Sequence, residues 1–160
     1  MQLWKLNRSE WVIVGAGTWG RTHASIYAEH LFADPVAICD MNEARAREIA
    51  DEFGIRKVYT DYHDMAADEE IDAVAIVTPD FAHADIACAM ADAKKDILIE
   101  KPLATTKEDI ARICEAVERN GVRCMVDLHN RWNPPLIQQN RRFLQENLEN
   151  HIQHISVIVM

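Results

Sequence analysis

Glycine is scarce in this 160-residue chain: there are five, and three of them fall between residues 15 and 20. A composition so poor in glycine and proline excludes collagen-like and low-complexity classes. Cysteine is equally sparse. The four stand at 39, 88, 114 and 124, at least ten residues apart, so no CxxC or zinc-like spacing occurs. Cys39, Cys88 and Cys124 lie among apolar neighbours and read as free thiols of the interior. Basic residues are in deficit, with 17 Lys+Arg against 26 Asp+Glu and a net charge of −9. That charge repels phosphate backbones and argues against nucleic acid as a partner. No apolar run approaches the roughly 18–20 residues of a membrane span, and residues 1–8 lack the apolar core of a secretory signal. The expectation is a cytoplasmic protein without a membrane partner. What is present, 49% hydrophobic and 27% charged residues, is ordinary for a globular domain.

Short β-type runs alternate with longer stretches of helical period. This rhythm predicts an α/β fold, a doubly wound parallel sheet of the Rossmann type. The strand runs are 11–14, 36–39, 73–77, 97–99 and 122–126, with a weaker one at 57–59. Four are almost continuously apolar, as strands buried on both faces require. Arg123 places a charge in the last, which suits an edge. Helices are predicted over 19–31, 42–53, 62–67, 79–93 and from Thr105 or Thr106 to Asn120, where Thr105-x-x-Glu108 shows a capping-box pattern. After Val126 the chain becomes turn-rich, then reads as a polar helix over 136–148 and a strand over 151–160 with Ile155, Val157 and Val159 alternating.

The glycines form Gly15-Ala16-Gly17-Thr18-Trp19-Gly20, a G-x-G-x-x-G that directly follows an apolar strand and opens a helix. That context is what the dinucleotide fingerprint demands. Gly15 permits the tight turn, Gly17 lets a pyrophosphate approach the backbone, and Gly20 allows close packing of helix on strand. The helix N-terminus, with Thr18 and Trp19 in its first turn, offers free N–H donors to phosphate. Twenty residues beyond Gly20, Asp40 ends the second strand run. A carboxylate there accepts hydrogen bonds from the ribose hydroxyls of NAD and repels the 2′-phosphate of NADP. NAD is therefore the expected cofactor, with NADP the lesser choice because Arg45 and Arg47 lie close in sequence. The alternative for Asp40 is a plain helix-capping role before residues 41–43.

Two further segments fall where the fourth and fifth strands end, which is where parallel sheets bind ligands. They are Thr78-Pro79-Asp80-Phe81-Ala82-His83 and Glu100-Lys101-Pro102. Singly each has a bland account, as a helix start and as a solvated charge pair. Together with the glycine loop and Asp40 they resemble the Gfo/Idh/MocA oxidoreductases, and His129-Asn130-Arg131-Trp132-Asn133-Pro134 resembles that family's approach to its second domain. The resemblance spans about residues 10–158.

The resemblance implies cofactor contacts at Thr78, Pro79 and His83, beside the nicotinamide half. It implies a catalytic role for Lys101, next to nicotinamide and the substrate hydroxyl, with Glu100 holding Lys101, Pro102 fixing the turn and Arg131 as a weaker contact. The implied reaction is hydride transfer between a nicotinamide cofactor and a sugar, cyclitol or related polyol. A noncatalytic NAD-binding sensor or a truncated remnant of such an enzyme is the alternative. Departures are visible: Asp80 stands where many relatives have Asn, and Asp92-Ala93-Lys94-Lys95 where a glycine is frequent. The largest is length, since relatives run to about twice this size. Residues 1–128 are accordingly expected to form the dinucleotide-binding domain and 129–160 the connecting helix and first strand of a second one, incomplete in this form. Its apolar last strand is expected to promote homo-oligomers. No metal site is expected, because His151 and His154 would point to opposite faces of a strand.

Overall fold

A computed structural model describes residues 9–132 together with 134, 135 and 138. The helix expected over 136–148 and the strand over 151–160 lie essentially outside these residues. The chain divides into two compact units, Met1–Asp127 and Leu128–Met160. In the first, six strands form one sheet: β1 (Ser9–Val14), β2 (Ala33–Cys39), β3 (Lys57–Tyr59), β4 (Ala73–Ile76), β5 (Asp96–Glu100) and β6 (Cys124–Asp127). Their order is β3-β2-β1-β4-β5-β6, and every pairing is parallel. This is the Rossmann-type sheet that the alternation predicted. The order reverses between β1 and β4, so the loops leaving these two strands diverge and open a crevice at their carboxyl ends.

The helices are α1 (Thr18–Glu29), α2 (Glu43–Phe53), α3 (Tyr62–Ala66), α4 (His83–Asp92) and α5 (Lys107–Asn120). Alternate strand residues feed two apolar layers. Val12, Val14, Val74, Ile76, Ile97 and Ile99 pack with Ile86, Met90 and Ile113 from α4 and α5. Ile13 and Ile38 pack on the other face with Ala24 of α1 and with Ala46, Ile49 and Ala50 of α2. Burial on both faces is the physical reason the strand runs read as unbroken apolar stretches.

Four local differences from the expected elements have identifiable causes. β2 starts three residues earlier and includes Pro35, which lacks an N–H; the register with β1 slips between Trp11 and Val12, opposite this residue. The helix expected over 79–93 is a short 3₁₀ turn, Asp80–Ala82, followed by α4. The cap of α5 is Thr106, not Thr105: the Asp109 amide donates to the Thr106 hydroxyl oxygen at 3.0 Å. Arg123 precedes β6 and donates its backbone N–H to Asp96 at 2.8 Å, with its guanidinium on the same carboxylate. β6 is indeed an edge strand.

Lys94 adopts φ 63°, a left-handed conformation that glycine takes without strain. Its ammonium donates to the Asn120 backbone oxygen and side-chain oxygen at 3.1 and 2.8 Å, which anchors the residue in that conformation. Of the free cysteines, Cys39 is buried, Cys88 and Cys124 are half-buried and Cys114 is exposed. Burial, reinforced by Asp40, Asp61 and Asp64, pushes the Cys39 thiol up to about 12. Among the described residues no helix is long and apolar enough to cross a membrane.

Candidate functional site

The loop leaving β1 is shaped by the absence of side chains. Gly15 has φ +111°, and a Cβ there would lie 2.8 Å from the Val77 carbonyl oxygen. Its N–H donates to the Cys39 carbonyl at 2.8 Å, which ties the turn to the end of β2. A Cβ on Gly20 would sit 1.9 Å from the Gly15 oxygen, so helix and loop touch backbone to backbone. Gly17 is different: nothing lies within 4 Å of its missing Cβ. It is the N-cap of α1 with no side chain capping the helix. Thr18 and Trp19 begin α1 at this end, and both residues are exposed. An open glycine at a helix N-terminus without a side-chain cap is a cradle for a diphosphate.

Asp40 stands beside this cradle at the end of β2. Its Oδ2 accepts the Ala16 N–H at 2.7 Å and its Oδ1 accepts the Asn42 N–H at 2.8 Å. The helix cap is Asn42, whose side chain receives the Arg45 amide at 3.2 Å. Asp40 is thus fastened to the glycine loop and does not cap α2. A carboxylate accepts about four hydrogen bonds, so capacity remains for ribose hydroxyls. Arg47 donates to Glu43 on its own helix at 2.9 Å, which commits it away from Asp40.

Thr78 and Pro79 follow β4, and Lys101 and Pro102 follow β5. His83 joins these two turns. Its Nδ1 lies 2.9 Å from the Pro102 carbonyl oxygen and its Nε2 3.1 Å from that of Thr78, and the residue is 1% exposed. The structure therefore buries between the two site loops a side chain expected to touch the cofactor, where a neutral imidazole donates to one of the two carbonyls. The Thr78 hydroxyl is buried without a hydrogen-bond partner. Pro79 is exposed.

Glu100 is buried, and its Oε2 accepts the Lys101 backbone N–H at 3.1 Å. It holds Lys101 through the main chain, and Lys101 itself is exposed. The 101–102 peptide is cis. Arg131 belongs to the short turn His129–Trp132 in the second unit, and its side chain is outside the described set.

A corner that local spacing did not disclose surrounds Glu100. His23 of α1 is buried with its Nε2 3.5 Å from Glu100 Oε1 and 4.0 Å from Asp127 Oδ2. Its Nδ1 lies 3.1 Å from the Tyr27 hydroxyl. Burial first, then the charges of Asp127 and Glu100, drive the Tyr27 hydroxyl far above its ordinary value, so it stays protonated. The available signal was weak: Glu100 and Asp127 are acids at the ends of two strand runs, and these ends are register partners in the sheet.

The residues present suit a dinucleotide: an open glycine, a helix N-terminus without a side-chain cap, a fixed acid and an orphaned threonine hydroxyl follow the carboxyl ends of β1, β2 and β4. Comparison with known proteins agrees. Residues 9–128 match the model of the Gfo/Idh/MocA family, described as an oxidoreductase family with an NAD-binding Rossmann fold. An inositol 2-dehydrogenase of Salmonella paratyphi B is 40% identical over 113 residues, covering 69% of this chain and 34% of that protein. The scyllo-inositol 2-dehydrogenase (NAD(+)) of Bacillus subtilis is 34% identical over 131 residues, covering 81% and 38%. The crystal structure of a probable dehydrogenase from Thermotoga maritima superposes with a TM-score of 0.76 at 30% identity, over 88% of this chain and 41% of that one. The chain thus spans about a third to two fifths of the length of these relatives. Fold, site and sequence similarity place it in the Gfo/Idh/MocA family of NAD-binding oxidoreductases.

Proposed function

We propose that this chain is the cofactor half of an NAD-dependent dehydrogenase acting on a sugar, cyclitol or related polyol. The observation that carries the reading is the joint between Asp40 and the glycine loop, the 2.7 Å hydrogen bond from the Ala16 amide. It presents an acid and a diphosphate cradle as one unit, which the two halves of a dinucleotide need together. The substrate class rests on the inositol dehydrogenases among the relatives.

In this reading Gly17 and the first amides of α1 hold the diphosphate, and Asp40 accepts the ribose hydroxyls. The Thr78 hydroxyl and the exposed Pro79 border the nicotinamide half, with Arg131 as a further contact. Bound NAD supplies hydride chemistry at its nicotinamide ring. Lys101 orients the substrate hydroxyl and assists removal of its proton. Glu100 fixes the Lys101 main chain, and His83 keeps the two turns at a constant separation. Association of copies through 151–160 and a cytoplasmic location belong to the same proposal. The free thiols support that location, since reducing compartments keep thiols unpaired; light scattering tests the association.

The test is calorimetric titration of the whole chain with NADH and with NADPH. Saturable NADH binding, tighter than NADPH binding and at least about tenfold weaker in Asp40→Ala, is the expected outcome, a difference of about 1.4 kcal/mol. A folded chain that binds neither overturns the reading. Polyol-dependent NADH formation that Lys101→Met abolishes supports a dehydrogenase, whereas binding without turnover favours a cofactor-sensing module.

A further inference from the structure

The corner where α1 meets the ends of β5 and β6 holds a set of donors that dinucleotide binding does not use. His23 Nε2, a Glu100 oxygen and an Asp127 oxygen all lie within 4.8 Å of one another. His23 is 7% exposed and Glu100 5%. The Glu100 Oε1 is buried, receives no hydrogen bond and faces His23, while its other oxygen is occupied by the Lys101 amide. Two carboxylates at register-paired ends of parallel strands repel each other unless positive charge lies between them.

The separations from His23 to the two acids, 3.5 and 4.0 Å, exceed the roughly 2.7–3.2 Å of an N–H···O hydrogen bond. They are close to the edges of a coordination tetrahedron. Metal–ligand distances of about 2.0–2.1 Å give ligand–ligand edges of about 3.3–3.4 Å. The 3.5 Å pair already fits, and rotation of the Asp127 carboxylate closes the other. On the far side of the ring, the Tyr27 hydroxyl lies 3.1 Å from Nδ1. A partner on the second nitrogen fixes the tautomer and orientation of a metal-bound histidine, leaving Nε2 to ligate. One nitrogen with two carboxylates is a donor set for borderline transition metals, whereas calcium and magnesium prefer more oxygen ligands.

We propose that His23, Glu100 and Asp127 form a binding site for a zinc-like divalent cation, with the fourth position open. The site links α1, which follows the glycine loop, to the strand that leads to Lys101. It is built entirely from described side chains and does not depend on the dehydrogenase reading.

The experiment uses the whole chain, stripped with a chelator and then titrated with Zn²⁺ by calorimetry and with Co²⁺ by visible absorption. Cobalt separates this site from the four cysteines, because thiolate ligands add a charge-transfer band that nitrogen and oxygen ligands lack. The expected result is one cobalt site without that band, weakened at least tenfold in Asp127→Asn and in His23→Gln and retained in Asp127→His. Zinc at a hundredfold excess over its dissociation constant should raise the melting temperature by about 5–10 °C in the parent and not in Asp127→Asn. Asp127→Asn alters a half-buried residue at the end of an edge strand, so it keeps the test valid should His23→Gln unfold. Cobalt binding that persists unchanged in the variants, cobalt binding only through thiolates, or no metal-dependent rise in melting temperature overturns the proposal.

Discussion

The two turns that face the crevice are built by opposite means. The loop after β1 is made of what its residues lack: Gly15 and Gly20 have no Cβ, and the Gly15 oxygen occupies the space that a Gly20 side chain would need. The turn after β5 is made of buried polar side chains, with His83 on the Pro102 carbonyl and Glu100 on the Lys101 amide. The first is set by steric exclusion against backbone, that of Val77 at Gly15 and that of Gly15 at Gly20. The second is set by hydrogen bonds that arrive from elsewhere in the fold. Each should fail in its own way when broken.

The largest effect belongs to Gly20→Ala. A methyl group 1.9 Å from a backbone oxygen cannot be relieved by a rotamer, so the loop must separate from the helix. The expected cost is about 3 kcal/mol or more, at the upper end for overpacking, read from urea unfolding. A variant within about 1 kcal/mol of the parent would show that helix and loop are not in backbone contact. His83→Ala comes next. It strips the imidazole from the Thr78 and Pro102 carbonyls in a site closed to solvent. Unsatisfied groups and the vacated volume together cost about 2–4 kcal/mol. His83→Gln, which restores one donor, should recover part of it. Equal stability of His83→Ala and the parent would remove the clamp from the account.

The contrast also explains what the sequence disclosed. Strand positions were legible because both faces of the sheet are covered, which forces unbroken apolar runs such as Val12, Ile13 and Val14. The glycine loop was legible because three glycines fall within six residues between a strand and a helix, and Gly15 and Gly20 occupy positions that no other residue fits. Asp40 was legible by its spacing and its place at the end of a strand. Pro35 inside β2 was not, since a register slip with another strand accommodates it. The true cap of α5 lay one residue from the expected one because Thr105 and Thr106 both begin acceptable patterns, and only the backbone decides between them. His83 was singled out as a cofactor contact, yet its orientation depends on a carbonyl 19 residues away. His23, Glu100 and Asp127 come from three elements, and no spacing rule connects them.

Gly17→Ala sharpens the comparison because it separates shape from stability. The neighbouring glycines exclude a side chain by contact with protein, whereas Gly17 meets nothing within 4 Å. Alanine in place of glycine at an N-cap costs about 0.5–1 kcal/mol, well below the expected cost at Gly20. If the empty space is the diphosphate's, NADH affinity should fall at least about tenfold while the unfolding midpoint falls only slightly. Unchanged affinity would mean that the space beside Gly17 serves another purpose.

The smallest expected effect lies outside both turns, where a half-buried charge network replaces sterics and fully buried hydrogen bonds. Asp68 accepts the Tyr59 hydroxyl at 2.7 Å and the Glu70 amide at 3.0 Å, and it pairs with the Lys57 ammonium at 2.5 Å. The Lys57 and Tyr59 hydrogen bonds, in that order, hold its carboxyl down at about 2. A carboxyl with a lowered value in the folded chain stabilises while ionised. Its contribution is therefore complete above the ordinary value of about 3.9 and is lost as pH falls towards 2. Asp68→Asn should lower stability by about 1 kcal/mol at pH 7, because the network is partly solvated. Urea midpoints of parent and variant should stay apart at pH 7 and 5 and converge as the pH approaches 2. Gly20→Ala must show no such convergence, since no proton relieves an overlap of atoms. A constant gap in the Asp68 pair across that range would mean that the carboxylate acts through shape and not through charge.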